Sequence, residues 1–171
     1  MHLRRLTGSD AEVYRRLRLE GLRTAPTAFG SSYEESVERP LTDYARRLEP
    51  SERTVVMGAF EGDELVGTVG VFREAGLKER HKAVLWGVYV TPSARGAGVA
   101  KALTRAVIDA ARAMEGVRQI KLAVEGTNHA ARALYESLGF TEFGREERAL
   151  CVDGVFYAEV HMVLFLDEAK A

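Results

Sequence analysis

Hydrophobic positions along this chain alternate between a spacing near 3.6 and a spacing of two, and the changes of period mark the elements. Leu3 to Thr7 predicts a short strand, and Ser9 or Asp10 supplies an N-cap for a helix carrying Val13, Leu17 and Leu22 on one side and ended by Pro26. Residues 27–53 are polar, with Pro40 and Pro50 bracketing a second predicted helix whose apolar positions are Leu41, Tyr44 and Leu48. Thr54 to Phe60 and Leu65 to Phe72 predict an antiparallel pair of strands, joined by a tight turn at Glu61-Gly62-Asp63-Glu64.

Ala83 to Val90 is apolar at every position, the pattern of a central strand covered on both faces. After Thr91-Pro92-Ser93-Ala94-Arg95-Gly96-Ala97-Gly98 comes a helix with Val99, Leu103, Val107, Ala110 and Met114 at helical spacing, ending near Gly116. Ile120, Leu122 and Val124 alternate as a strand, and a helix runs from about Asn128 to Leu138, stopped by Gly139. Thr141 to Val152 and Phe156 to Phe165, separated by Asp153-Gly154, predict a final hairpin. Strands and helices in this order predict an α/β sheet with helices on both faces.

Composition narrows the function classes. At 171 residues one domain, 1–171, is the default, and a chain of that length buries roughly 70% of its unfolded surface without a metal or disulfide staple. Lys plus Arg number 24 against 25 Asp plus Glu, a net charge of -1, so no bulk basic field exists to hold nucleic acid. Cys151 is the single cysteine, and His2, His81, His129 and His161 are scattered without zinc-ligand spacing, so no metal is expected. The N-terminus is charged throughout and the longest apolar run, Ala83 to Val90, is far short of the roughly 20 residues of a membrane helix. A cytoplasmic protein with no membrane partner is expected.

Arg95-Gly96-Ala97-Gly98-Val99-Ala100 lies between the buried strand and an amphipathic helix, where unsatisfied amides and the helix dipole favour an anion such as phosphate. A nucleotide-triphosphate loop needs Lys and Ser or Thr after its second glycine, but Gly96 leads to Lys101 and then Ala102. The dinucleotide fingerprint begins with Gly96-Ala97-Gly98 and finds Glu125 as a ribose ligand, but its third glycine falls on Lys101. The remaining pattern is Arg/Gln-x-x-Gly-x-Gly/Ala, here Arg95, Gly98 and Ala100, and at this point the chain resembles the GCN5-related N-acetyltransferase (GNAT) family. A second segment, Asn128 to Phe140, is similar to that family's Asn-x-x-Ala-x-x-x-Tyr-x-x-x-Gly-Phe signature at all five positions. Asn128, Ala131 and Tyr135 share one helix face, with Ala130, Leu134 and Leu138 beside them able to pack into the core. Read from the residues alone, Tyr135 is equally an amphipathic core residue and Asn128 a helix N-cap. The stretches Leu17 to Tyr33, with Phe29-Gly30-Ser31-Ser32-Tyr33, and Tyr157 to Met162 extend the resemblance to nearly the whole chain.

The resemblance implies a GNAT-type mixed, mostly antiparallel sheet of about seven strands, splayed in the centre. It implies acetyl-CoA as co-substrate, held by the backbone of Val88, Tyr89 and Val90, by the loop Arg95, Gly96, Ala97, Gly98, Val99 and Ala100, and by Asn128, Ala131 and Tyr135. It further implies Tyr135 as the general acid on the departing thiolate, a backbone amide polarising the thioester, and direct attack by an acceptor amine. Some relatives carry Glu on the central strand; Val84-Leu85-Trp86-Gly87-Val88 has none. Glu34, Glu35, His81 and Glu79 are the candidate bases, and Tyr33, Trp86 and Phe29 candidate walls of the acceptor pocket, with ordinary surface or core roles as the alternatives. The expected acceptor is a small-molecule amine; a protein N-terminus or lysine is the close alternative, and a non-catalytic acyl-CoA-binding module the alternative of another class. A homodimer is compatible with the resemblance.

Overall fold

A computed structural model describes residues 1–167. Seven strands form one sheet in the order β1-β2-β3-β4-β5-β7-β6: β1 His2–Arg5, β2 Thr54–Glu61, β3 Glu64–Arg73, β4 Lys82–Val90, β5 Gln119–Glu125, β6 Thr141–Val152 and β7 Val155–Phe165. Neighbours are antiparallel except β4 and β5, so the sheet is mixed and mostly antiparallel. Five α-helices accompany it: α1 Ala11–Thr24, α2 Tyr33–Val37, α3 Leu41–Leu48, α4 Val99–Ala113 and α5 His129–Glu136.

Two apolar cores result. In one, Tyr14, Leu17 and Leu22 of α1 and Tyr44 and Leu48 of α3 pack with Val56, Phe60 and Tyr89; in the other, Leu103, Val107 and Ala111 of α4 and Tyr135 of α5 pack with Val69, Val71, Ile120 and Leu122. Burying these side chains is the main favourable term holding helices to sheet. Arg4 braces the entry to α1: its two terminal nitrogens meet the Asp10 carboxylate at 2.9 and 2.7 Å, and Thr7 N–H donates to the same group at 2.9 Å.

Residues 27–53 form two short helices rather than one. Ser32 caps α2, its hydroxyl accepting from Glu35 N–H while the Glu35 carboxylate accepts from Ser32, and Pro40 then forces extended backbone before α3. Leu41, expected on the apolar side, is 44% exposed because it opens the first turn of α3.

The expectation that β4 is covered on both faces is corrected. Ala83, Leu85, Tyr89 and Val90 are buried, but Val84, Trp86, Gly87 and Val88 are only half-buried. Thr68 lies opposite Tyr89 and Gly70 opposite Trp86, so β4 carries one extra residue in that interval, a bulge with Gly87 at φ +67°. The bulge reverses the alternation: Ala83 and Leu85 point into the α4 core, whereas Tyr89 points into the α1 core and Val90 into the α4 core. β4 and β5 pair only at Lys82–Gln119, Ala83–Ile120 and Val84–Lys121. Beyond Val84 the two strands part, which is the central splay.

Candidate functional site

The parted strands enclose a groove of about 400 Å³, lined by residues 85–90 of β4, residues 122–125 of β5, and Ala130, Ala131, Leu134 and Tyr135 of α5. The β4 edge beyond Val84 has no strand opposite it, so an extended ligand arm can hydrogen-bond there as an added strand would.

At one end lies the glycine loop. Gly96 and Gly98 sit at φ +80° and +76°, a region other residues enter only with strain, and Gly98 is the N-cap of α4. Among the described residues no backbone acceptor takes the N–H of Gly96, Ala97, Gly98, Val99, Ala100 or Lys101. Six free amides converging at the start of a 15-residue helix form an anion cradle. Arg95 is exposed beside it; its Nε donates to Val90 O at 3.0 Å, leaving the two terminal nitrogens for a ligand.

On α5, Asn128 Oδ1 accepts from Ala131 N–H at 3.1 Å, so Asn128 is an N-cap, and it lines the groove as well. Tyr135 is 5% exposed, its ring edge-on to Phe140 with centroids 5.8 Å apart. Burial pushes its phenol up to about 12, and no described residue bonds to its hydroxyl. Ala130, expected in the core, is exposed on the groove side, while Leu134 and Leu138 pack against the core. The Tyr89 side chain is buried in the α1 core, where its hydroxyl donates to Glu20 and pairs with Thr24, both at 2.9 Å.

The residues proposed for the base do not meet in this groove. Glu35 is exposed and occupied in the α2 cap, where its bond to Ser32 holds its carboxyl below the usual range; Glu34 is exposed beside it. Glu79 pairs with Lys82 at 3.3 Å, and His81 O accepts from Arg118 and Gln119, placing both at the closed end of the β4–β5 seam. His81 stands five strand residues before Trp86, roughly 16 Å. Tyr33 bonds to Arg23 rather than lining the groove. Of the proposed pocket walls, Phe29 and Trp86 do line it.

Sequence reasoning missed the groove's continuation, a chamber of about 500 Å³ that shares Phe29, Trp86, Gly87 and Ala123 with it and adds Arg18, Arg47 and Glu159. Arg18 had a readable signal: it falls on the buried stripe Tyr14, Leu17, Arg18, Gly21, Leu22 of α1. Glu159 had none until register was known, since it is brought to the splay by pairing opposite Glu125. Glu125 itself is buried, its two oxygens accepting from Thr127 N–H and Oγ at 3.0 and 2.8 Å.

A mixed sheet opening at one parallel seam, with an anion cradle at one end of the opening, defines the splayed fold of the N-acetyltransferases. Residues 19–140 match the acetyltransferase (GNAT) family, and the chain belongs to that family. It is 52% identical over 52 residues to a mycothiol acetyltransferase of Beutenbergia cavernae, covering 30% of this chain and 17% of that protein. It is 36% identical over 98 residues to the N-alpha-acetyltransferase RimI of Mycobacterium tuberculosis, covering 57% of this chain and 59% of that one. The chain thus spans less than two thirds of the length of these relatives. A putative acetyltransferase, yncA, from Salmonella typhimurium, solved with its cofactor acetyl-CoA, superposes with a TM-score of 0.79 at 25% identity, covering 100% of this chain and 96% of that one. No helix among the described residues is long and apolar enough to cross a membrane.

Proposed function

We propose that this chain is an acetyl-CoA-dependent N-acetyltransferase that acts on the primary amine of a small molecule by direct attack in a ternary complex. The observation that carries the reading is the continuity of the groove: anion cradle at one end, unpaired β4 edge and Tyr135 along it, acceptor chamber at the other. The free amides of residues 96–101 and the open β4 edge fit the pyrophosphate and the pantetheine arm of the cofactor. When bound, acetyl-CoA supplies an activated thioester: a C–N bond forms, the C–S bond breaks, and of the two protons the acceptor's ammonium form loses, one ends on sulfur and one in solvent.

An ammonium has no free lone pair, so the chain must first take a proton from it. Glu159 lines the acceptor chamber and supplies the carboxylate that β4 lacks. Tyr135 faces the opposite task. A phenol at about 12 gives its proton to an ordinary thiolate uphill by roughly 3.5 pH units, about 5 kcal/mol, so Tyr135 Oη holds its proton and donates a hydrogen bond to the departing sulfur. The likeness to RimI supports a second reading, in which the amine is a protein N-terminus.

The test is thiol release from acetyl-CoA across a panel of small amines and short peptides, with the acetylated product identified by mass. Amine-dependent release with the small amines supports the proposal; release with peptides alone supports the second reading. Cofactor binding without transfer to any amine leaves only an acyl-CoA-binding module.

A further inference from the structure

The acceptor chamber holds an arginine with nothing to bind. Arg18 is 7% exposed, yet its Nη1 is buried without a hydrogen-bond partner among the described residues, and no carboxylate pairs with it. Its guanidinium lies 4.3 Å from the Phe29 ring centre, a contact that holds the group in place but satisfies none of its N–H donors. Burial pushes its pKa down, the mark of a cation kept from water without an anion. A buried donor left unsatisfied is costly, more so when charged, and such a group in the wall of a chamber points to a ligand.

The surroundings specify that ligand. Past Arg18 the chamber leads into a recess of about 160 Å³ lined by Arg39, Arg47, Asp43 and Ser31. The one acid there, Asp43, is already paired with Arg46 at 3.1 Å, so the recess is cationic. Arg47 lies with its guanidinium 5.2 Å over the Trp86 ring, making it a second fork beside Arg18. Trp86 Nε1 is likewise buried without a partner. The same chamber carries one carboxylate, Glu159, which makes no ion pair among the described residues. Donors and a carboxylate acceptor lining one chamber match a molecule bearing an anion and an ammonium together. A planar carboxylate suits a guanidinium fork, and a chamber of about 500 Å³ admits a free amino acid.

We propose, resting on the transferase reading above, that the acceptor is a free amino acid whose carboxylate is bound by Arg18 with Arg47 and whose ammonium faces Glu159. Neutralising Arg18 on binding confers selectivity, because an amine without the carboxylate leaves Arg18 buried and unpaired.

The experiment compares each standard L-amino acid with its decarboxylated amine and its amide, together with alanine-initiated tripeptides, in two readouts. One is kcat/KM for acetyl transfer; the other is calorimetric binding to the protein saturated with coenzyme A, which requires no turnover. At least one amino acid should exceed its decarboxylated amine by about tenfold or more in both. Arg18→Met should abolish that preference through KM while coenzyme A affinity stays unchanged, and Arg18→Lys should retain part of it. If Arg18→Met does not fold, Arg47→Met, on a half-exposed side chain, should raise KM for the acids by several-fold more than for their decarboxylated amines. Amines or tripeptides used as well as amino acids, or a preference that survives both substitutions, overturns the proposal. Preferential amino-acid binding with no transfer keeps the anion site and removes the transferase reading; absence of both binding and transfer removes both.

Discussion

Removing the Tyr135 hydroxyl takes away one donor and leaves the ring packed on Phe140. Tyr135→Phe should therefore lower kcat by about 10- to 100-fold, the worth of one charge-assisted hydrogen bond, and change coenzyme A affinity by less than about twofold. Steady-state kinetics and calorimetry on one preparation check both. A matching alkaline effect follows from the phenol being held at about 12 against an ordinary value near 10. Below pH about 10 the phenol is protonated in folded and unfolded chains alike. Between about 10 and 12 only the unfolded chain ionises, so stability falls with rising pH by up to about 1.4 kcal/mol per pH unit. Urea unfolding of Tyr135→Phe across that window should show a shallower loss than the parent. Glu159→Gln should reduce kcat/KM by about 100-fold or more, the usual worth of a placed base, while Glu34→Gln, Glu35→Gln and His81→Gln stay within about threefold. Tyr135 was legible only through the resemblance to the family's Asn-to-Phe signature; read alone it is a core tyrosine. Glu159 was not, because its place depends on a pairing between strands distant in sequence.

At the scale of elements, β4 depends on its bulge. Gly87 at φ +67° has open space where a Cβ would stand, so Gly87→Val meets backbone strain rather than a clash and should cost about 1–3 kcal/mol in denaturant unfolding. The altered strand should also weaken coenzyme A binding, since the bulge sets which edge groups face the groove. Hydrophobic pattern located β4 and placed it centrally, but a run apolar at every position hides both the bulge and the open face: the pattern has the strand covered on both faces, whereas Trp86 and Val88 are half-buried and line the groove. The glycine loop was more legible, because its function lies in local backbone geometry that Gly96 and Gly98 announce. The α1 entry shows a different dependence. Pairing with Arg4 holds Asp10 below the usual carboxylate range, so its contribution is present above pH about 4 and lost as pH falls through its lowered value. Asp10→Asn should lower stability at neutral pH and converge on the parent in acid, as followed by urea midpoints from pH 7 downward.

Across the whole molecule, a net charge of -1 coexists with two strongly local fields. Free amides and Arg95 make one end of the groove attractive to phosphate, and Arg18, Arg39 and Arg47 make the far recess cationic, with Glu159 on the wall of the adjoining chamber. Bulk composition averages these away, which is why it spoke against nucleic acid and was silent about a cofactor or an acidic acceptor. The order of elements, by contrast, carried the strands of the sheet, because each was marked by its own period and flanking turn; the five-residue helix α2 was too short to show a period. The most direct test of the central reading is release of free thiol from acetyl-CoA by the purified chain, measured with and without amino acids and simple amines, with product mass determined in parallel. Release that requires the amine, with one acetylated amine formed per thiol, is the predicted result. Tight coenzyme A binding with thiol release no faster in the presence of any amine would contradict it.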